Sequence, residues 1–426
     1  MKFRVPATIA FFVMLSSVRV AGPGLAAREL ESGPLQGDGV VAVVCGRLVD
    51  VTTDRVLQDA VVLIRGGRIN AIGPRLAIPA GARVIDVGQM TVLPGLIDTH
   101  THLTYHYDQR GNERAAVTAL YAADNARRTL EAGFTTVRNL GAGGRIDLDL
   151  RDLVNKGIIP GPRIAASGEP LIPNEAAPAE QPSPRIASLR EIVDRQAAAG
   201  ADVIKVFVTP GAGGGDMLLY NEEEIRAIVD EAAKHHLKVA AHAIMTRGIK
   251  AAVRAGVASV EHGSMLDDEA IKLMIERHTA LVPTLYLPNH YLAHRDRFGF
   301  DQAQWQGLAD LRDRAIPNAR RALAGGVWMV MGSDAVAGLH GENAKEVEWM
   351  VKAGMTPTQA IRASTIDGAT LIGWADRVGS LEAGKLADLI AVQGDPLKDI
   401  TELQKVRFVM KGGDVIVDRM RSDERH

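Results

Sequence analysis

Four histidines, one lysine and one aspartate occupy positions from which they could act together on metal ions. The run Asp98-Thr99-His100-Thr101-His102 ends an apolar stretch. Alternate residues of a strand point the same way, so His100 and His102 can face one ion from a single strand end. His242 closes the run from Lys238 to Ala241, His262 follows Ser259-Val260-Glu261, and Asp334 follows the run from Val327 to Gly332. Imidazole and carboxylate donors suit zinc and other divalent first-row ions. A single strand histidine is more often a satisfied core residue, and it is the coincidence at several strand ends that points to a metal.

Lys205 lies inside the apolar run Asp202-Val203-Ile204-Lys205-Val206-Phe207-Val208. An ammonium in a strand interior is costly unless paired. Burial favours the neutral amine, which can react with carbon dioxide to give a carbamate. That anion has two oxygens and can bridge two metals. A snorkelling side chain or an ion pair with Asp202 are the alternatives.

The elements that must position these groups alternate. Between Pro94 and about Trp374 the expected strands are Gly95–Thr99, Thr135–Asn139, Arg163–Ser167, Val203–Val208, Lys238–Ala241, Ser259–Glu261, Ala280–Thr284 and Val327–Gly332, separated by helical stretches such as Ala115–Ala132, Glu222–His235 and Asp268–Glu276. Eight strands alternating with helices over about 240 residues predict an α/β fold, a parallel (β/α)8 TIM barrel whose active site lies at the C-terminal strand ends. A doubly wound open sheet is the rival. Its phosphate fingerprint is missing, since Gly211-Ala212-Gly213-Gly214-Gly215 does not follow the G-x-G-x-x-G spacing and reads as a loop over the barrel mouth. Strands expected at Val40–Val49, Ala60–Arg65 and Arg68–Ile72, and again at Leu386–Val392, Val406–Met410 and Asp414–Val417, suggest that the two ends of the chain join in one small β-sandwich domain. The expected division is a signal peptide over 1–27, sandwich segments over 28–93 and 376–426, and the barrel over 94–375.

The chain has 426 residues, 46% hydrophobic and 23% charged, which excludes disordered and fibrous classes. Lys+Arg 49 against Asp+Glu 51 leaves a net charge of −2 with no basic run, so no nucleic-acid footprint is visible. Met1-Lys2-Phe3-Arg4, a short apolar run to Val18 and the small residues Ala26-Ala27 read as an export signal, predicting a periplasmic or secreted protein free of the membrane once the signal is removed. Cys45 is the only cysteine; it lies in an apolar run and is expected to be a buried, inert thiol.

The segments Val92-Leu93-Pro94-Gly95-Leu96-Ile97-Asp98-Thr99-His100-Thr101-His102, Val260-Glu261-His262-Gly263, Gly332-Ser333-Asp334 and Gly379–Leu389 resemble the amidohydrolase superfamily. Lys205, Glu342-Asn343-Ala344-Lys345-Glu346 and Ala353-Gly354-Met355-Thr356-Pro357 are similar to its metal-dependent carboxypeptidase branch, which includes Xaa-Pro dipeptidases and ochratoxin-hydrolysing amidases. The resemblance implies two divalent metals, with zinc the expected ion. His100, His102 and Asp334 would hold the buried ion, His242 and His262 the outer one, and a CO2-derived carbamate on Lys205 would bridge them. Asp334 would also shuttle the proton. The resemblance further implies a homo-oligomer, as large as an octamer. Members of that branch carry Gly-Gly-His after the third strand; this chain has Gly168-Glu169-Pro170 there, so contacts from that loop are not carried over.

A carboxylate-bearing substrate needs an anchor, and Arg138, Tyr286 and His340 are the candidates for substrate contact. His290 and His294 are spaced like a zincin pair, but Tyr291 stands where the required Glu would be. His235, His236 and His278 precede strands and are expected in solvent at the opposite face. The expected reaction is hydrolysis of the C-terminal amide bond of a dipeptide or an N-acyl amino acid. Ochratoxin A, cleaved to ochratoxin alpha and phenylalanine, is one such small-molecule amide. An ester or lactone hydrolase on the same metals is the alternative within enzymes, and an exported metal- or ligand-binding protein the alternative outside them.

Overall fold

The structure is a computed structural model that describes residues 39–106, 114–173, 175–177 and 183–420. The expected signal segment over 1–27 lies outside the described residues. No described helix is long and apolar enough to cross a membrane.

The chain opens with β1 (Val40–Asp50), β2 (Arg55–Arg65), β3 (Arg68–Pro74), β4 (Arg83–Asp86) and β5 (Thr91–Pro94). The middle carries β6 (Leu96–Thr101), α1 (Ala115–Glu131), β7 (Phe134–Asn139), α2 (Ile146–Asn155), β8 (Arg163–Ala166), α3 (Ile186–Ala198) and β9 (Val203–Phe207). There follow α4 (Glu222–Lys234), β10 (Lys238–Ala243), α5 (Thr246–Ala255), β11 (Ser259–His262), α6 (Asp268–Arg277) and β12 (Ala280–Val282). Four more helices come next, α7 (Leu287–Ala293), α8 (Gln302–Gly325), α9 (Lys345–Lys352) and α10 (Pro357–Ala363), then α11 (Ile366–Ile372) and the closing strands β13 (Leu389–Val392), β14 (Val406–Lys411) and β15 (Asp414–Asp418).

Strands β9, β10, β11 and β12 form one parallel sheet, and β6, β7 and β8 another. These strands are buried along nearly their whole length, polar residues included, as in parallel sheets covered on both faces. Ile164, Ile204, Val206, Val239, Val260 and Leu281 share one core with Leu130 of α1, Ile228 of α4 and Val253 of α5. A bridge from Leu171 to Val206 runs between the two sheets.

Seven of the eight expected middle strands are present. The eighth, Val327–Gly332, is an extended segment that makes single bridges, Met329 to Leu281 and Ala335 to Thr101, rather than a ladder. Close packing and a turn account for this. A Cβ on Gly332 would lie 2.8 Å from the Cβ of His100, and Asp334 takes a left-handed φ of 52°. The segment therefore leaves the strand path at the point where it presents Asp334.

The first and last strands belong to a single eight-stranded sheet in the order β15-β14-β13-β5-β1-β2-β3, with β4 beside β1. β13 pairs antiparallel with β5, Leu389 opposite Pro94. β5 leads through Gly95 directly into β6, and only glycine fits there: a Cβ would fall 2.2 Å from Thr135 Oγ1. The terminal sheet is thus fixed one residue away from the strand that bears His100. Cys45 is buried in this sheet and its thiol donates to Ala60 O.

Candidate metal centre

His100 lies on β6 with His102 just beyond it, Lys205 on β9, His242 on β10, His262 at the end of β11 and Asp334 after the 327–332 segment. All six line one cavity of about 510 Å3. Asp334 Oδ1 is 3.3 Å from His100 Nε2 and 3.1 Å from His102 Nε2, while its Oδ2 is 3.9 Å from His262 Nδ1. The His242 and His262 rings meet edge to face at 4.5 Å between centroids. One donor atom from each of His100, His262 and Asp334 falls within a 4.8 Å span, a set that could hold a metal ion.

Burial sets the protonation of this cluster. Desolvation, with the Lys205 ammonium adding to it, holds His100 well below the usual imidazole range. Desolvation does the same to His242, seconded by His262, and pushes His262 down to about 3. Neutral imidazoles are the metal-binding form. For Asp334 burial opposes ionisation, but His100 and His102 outweigh it and leave its carboxyl below the ordinary value. Lys205 is buried and pushed down to about 8, chiefly by desolvation. Its Nζ has no hydrogen-bond partner among the described residues. Neither alternative for it holds: the amine does not reach solvent, and Asp202 pairs instead with Arg151 at 2.8 Å. A buried, unpartnered amine among neutral imidazoles and a carboxylate fits a divalent ion or an added anionic group, either of which would satisfy it.

The cavity wall is largely apolar. Tyr105, Phe207, Tyr291 and Phe300 supply rings, and Leu287, Leu308 and Leu311 aliphatic surface. Gly211, Gly213 and Gly214 also line it, as expected for a loop over the mouth.

The three candidate substrate contacts are placed elsewhere. Arg138 is buried with its guanidinium engaged by Thr99 O, Ser259 Oγ and Glu261 Oε1, outside the cavity lining. This corrects the expectation of a carboxylate anchor, because a cation already neutralised by a buried carboxylate has no free valence for substrate. Tyr286 caps α7 and accepts a bond from Lys345 Nζ at 3.2 Å. His340 is fully buried and held down to about 3, by desolvation and then by Arg128. Neither Tyr286 nor His340 lines the cavity. His290 turns Nε2 to Ala337 O, and His235, His236 and His278 are exposed.

Several supporting residues went unassigned in the sequence. Glu261 Oε2 approaches His100 Nδ1 at 2.8 Å, without the alignment of a hydrogen bond. Asp98 accepts from Ser333 N, Ser333 Oγ and Asn343 Nδ2, tying β6 to the segment that carries Asp334. Thr284 Oγ1 meets His262 Nδ1 at 2.7 Å. Glu261 and Asp98 stand beside the histidines in sequence, a signal that could have found them.

Comparison with known proteins agrees with this geometry. The model of the Amidohydrolase family matches residues 91–416. The chain is 30% identical over 404 residues to an ochratoxinase of Aspergillus niger, covering 84% of this chain and 82% of the relative. It is also similar to the crystal structure of a Xaa-Pro dipeptidase with methionine bound in its active site, with TM-score 0.81, 33% identity, 88% of this chain and 99% of that one. The crystal structure of the A. niger ochratoxinase superposes with TM-score 0.77 at 26% identity, over 91% of this chain and 98% of that one. Match and geometry together place the chain in the amidohydrolase family, as a hydrolase acting on amide bonds.

Proposed function

We propose that the chain is a two-metal amidohydrolase that cleaves the C-terminal amide bond of dipeptides or N-acyl amino acids, with ochratoxin A among the candidate substrates. The observation that carries this reading is the convergence of His100, His102, His242, His262, Asp334 and the unpartnered Lys205 on one apolar cavity. In it His100, His102 and Asp334 would hold one ion and His242 and His262 the other, zinc being the expected metal. Lys205 would take up carbon dioxide: its neutral amine would form the N–C bond with loss of one proton, and the carbamate would add anionic oxygen donors to the site. Bound there, two divalent ions supply an acidified water and a polarised carbonyl.

The residues do the remaining work. The Asp334 carboxylate takes the proton of the attacking water and returns it to the leaving nitrogen. The rings of Tyr105, Phe207, Tyr291 and Phe300 hold a flat or apolar acyl group and exclude water around the scissile bond. The similarity to an ochratoxinase and a Xaa-Pro dipeptidase supports an amino acid as the leaving group.

The reading includes a closed (β/α)8 barrel, supported by the bridges of the 327–335 segment to β12 and β6. It includes a β-sandwich at the chain ends, supported by the core that Val43, Ile64, Phe408 and Met410 share. Export by the N-terminal segment and action as a homo-oligomer complete it.

The test is hydrolysis of a panel of N-acyl amino acids, dipeptides including Xaa-Pro, ochratoxin A, aryl esters and lactones, with and without chelator. Chelator-sensitive amide cleavage is expected. Cleavage of esters or lactones alone would overturn the amide assignment.

A further inference from the structure

Thr284 is a β-branched residue with φ of 49°, in the left-handed region that such side chains avoid. It is buried, lines the cavity and follows Val282-Pro283 at the end of β12. A strained residue persists only where its surroundings fix it. The two residues that follow Thr284 are held by Glu346 in the first turn of α9. Its two carboxyl oxygens accept the backbone N–H groups of Leu285 and Tyr286, each at 2.8 Å. Glu346 is fully buried and makes no ion pair among the described residues, so those two amides are its partners. The next group along is the Thr284 hydroxyl, 2.7 Å from Nδ1 of His262. With Nδ1 engaged by that oxygen, Nε2 is the nitrogen left to coordinate.

We propose that Glu346 and Thr284 are positioning residues for His262: Glu346 clamps the 285–286 backbone, the clamp holds Thr284 in its strained conformation, and the Thr284 hydroxyl accepts the Nδ1 proton and fixes the tautomer and ring orientation with which His262 binds metal. The inference rests on the two-metal reading above and deepens it. A residue that bonds the far nitrogen of a ligand histidine tunes metal affinity without touching substrate. Glu346 and Thr284 therefore act at a distance from the scissile bond.

The experiment is zinc affinity of metal-stripped protein, measured by competition with a chromophoric chelator, alongside thermal melting of the metal-free forms. Thr284→Val keeps the branch and removes the hydroxyl. It is expected to weaken one of the zinc equivalents by about 10–100-fold, while Thr284→Ser stays near the wild type. Glu346→Gln turns an amide N–H toward a backbone N–H and is expected to weaken the same equivalent; it serves as the second variant if Thr284→Val is not recovered folded. Folded variants that hold both equivalents as tightly as the wild type would overturn this inference and leave the two-metal reading standing. A wild type that takes up no zinc would overturn both.

Discussion

Nδ1 of His100 stands 2.8 Å from Oε2 of Glu261, so a buried carboxylate on β11 packs against an imidazole on β6. The same carboxylate binds Arg138 Nη2 at 2.9 Å through its other oxygen. Arg138 therefore supports the site from within the protein and does not meet substrate.

That assignment predicts the behaviour of Arg138→Met. Leaving Glu261 as an uncompensated buried charge should cost about 3–5 kcal/mol of stability. KM for a carboxylate-bearing substrate should stay unchanged at temperatures where the variant is folded. Chemical denaturation and steady-state kinetics check the two halves, and a large rise in KM at full stability would restore the anchor role.

Asp334→Asn should lower kcat by about 10^2–10^4-fold, the range of a lost general base. Melting of the metal-free protein should change little, because the side chain faces the cavity and its backbone N–H to His100 O bond is kept. Circular dichroism together with single-turnover hydrolysis distinguishes this from misfolding, and a fully active variant would remove Asp334 from the proton path.

Gly332→Ala tests the close approach behind the site. The new methyl would fall 2.4 Å from Val282 Cγ1 and 2.8 Å from His100 Cβ. Overpacking of this kind costs about 1–3 kcal/mol. Because it displaces His100, zinc affinity should fall as well. A variant as stable and as tight for zinc as the wild type would contradict the packing.

Glu346 gives a pH dependence with a definite sign. Desolvation raises its carboxyl from the model-peptide value of 4.5 to about 8. Between those values the folded protein holds a proton that the unfolded chain has released, so this group's stabilising contribution is present below about 4.5 and is lost as pH rises through 8. Glu346→Gln should flatten that fall. Urea unfolding of metal-free protein across this range checks it, and parallel profiles for the two proteins would contradict the burial argument.

Much of the site was legible because its residues end apolar strand runs. His100, His102, Lys205, His242 and His262 could be placed from period and spacing alone, and the cavity contains them all. What was not legible depends on contacts far apart in sequence. Arg138 finds Glu261 across 123 residues, and Glu346 finds Leu285 across 61. No local pattern signals such pairs. The positive φ at Thr284 is likewise imposed by its surroundings against its own preference, which favours extended backbone. The eighth strand was misjudged in form for a related reason: Val327–Met331 is apolar enough for a strand, but the approach of Gly332 to His100 and the turn at Asp334 limit it to single bridges. In the terminal segments, Gly66-Gly67 and Gly412-Gly413 are local hairpin signals, and each pair joins two antiparallel strands.

The most direct test is a titration of metal-stripped protein with zinc in bicarbonate buffer, following amide hydrolysis and bound metal together. Expected are no hydrolysis without metal, full activity at two zinc ions per chain, and a gain in chain mass of one CO2 that Lys205→Met lacks. Amide hydrolysis that persists after complete metal removal, or that Lys205→Met leaves intact, would contradict the two-metal reading.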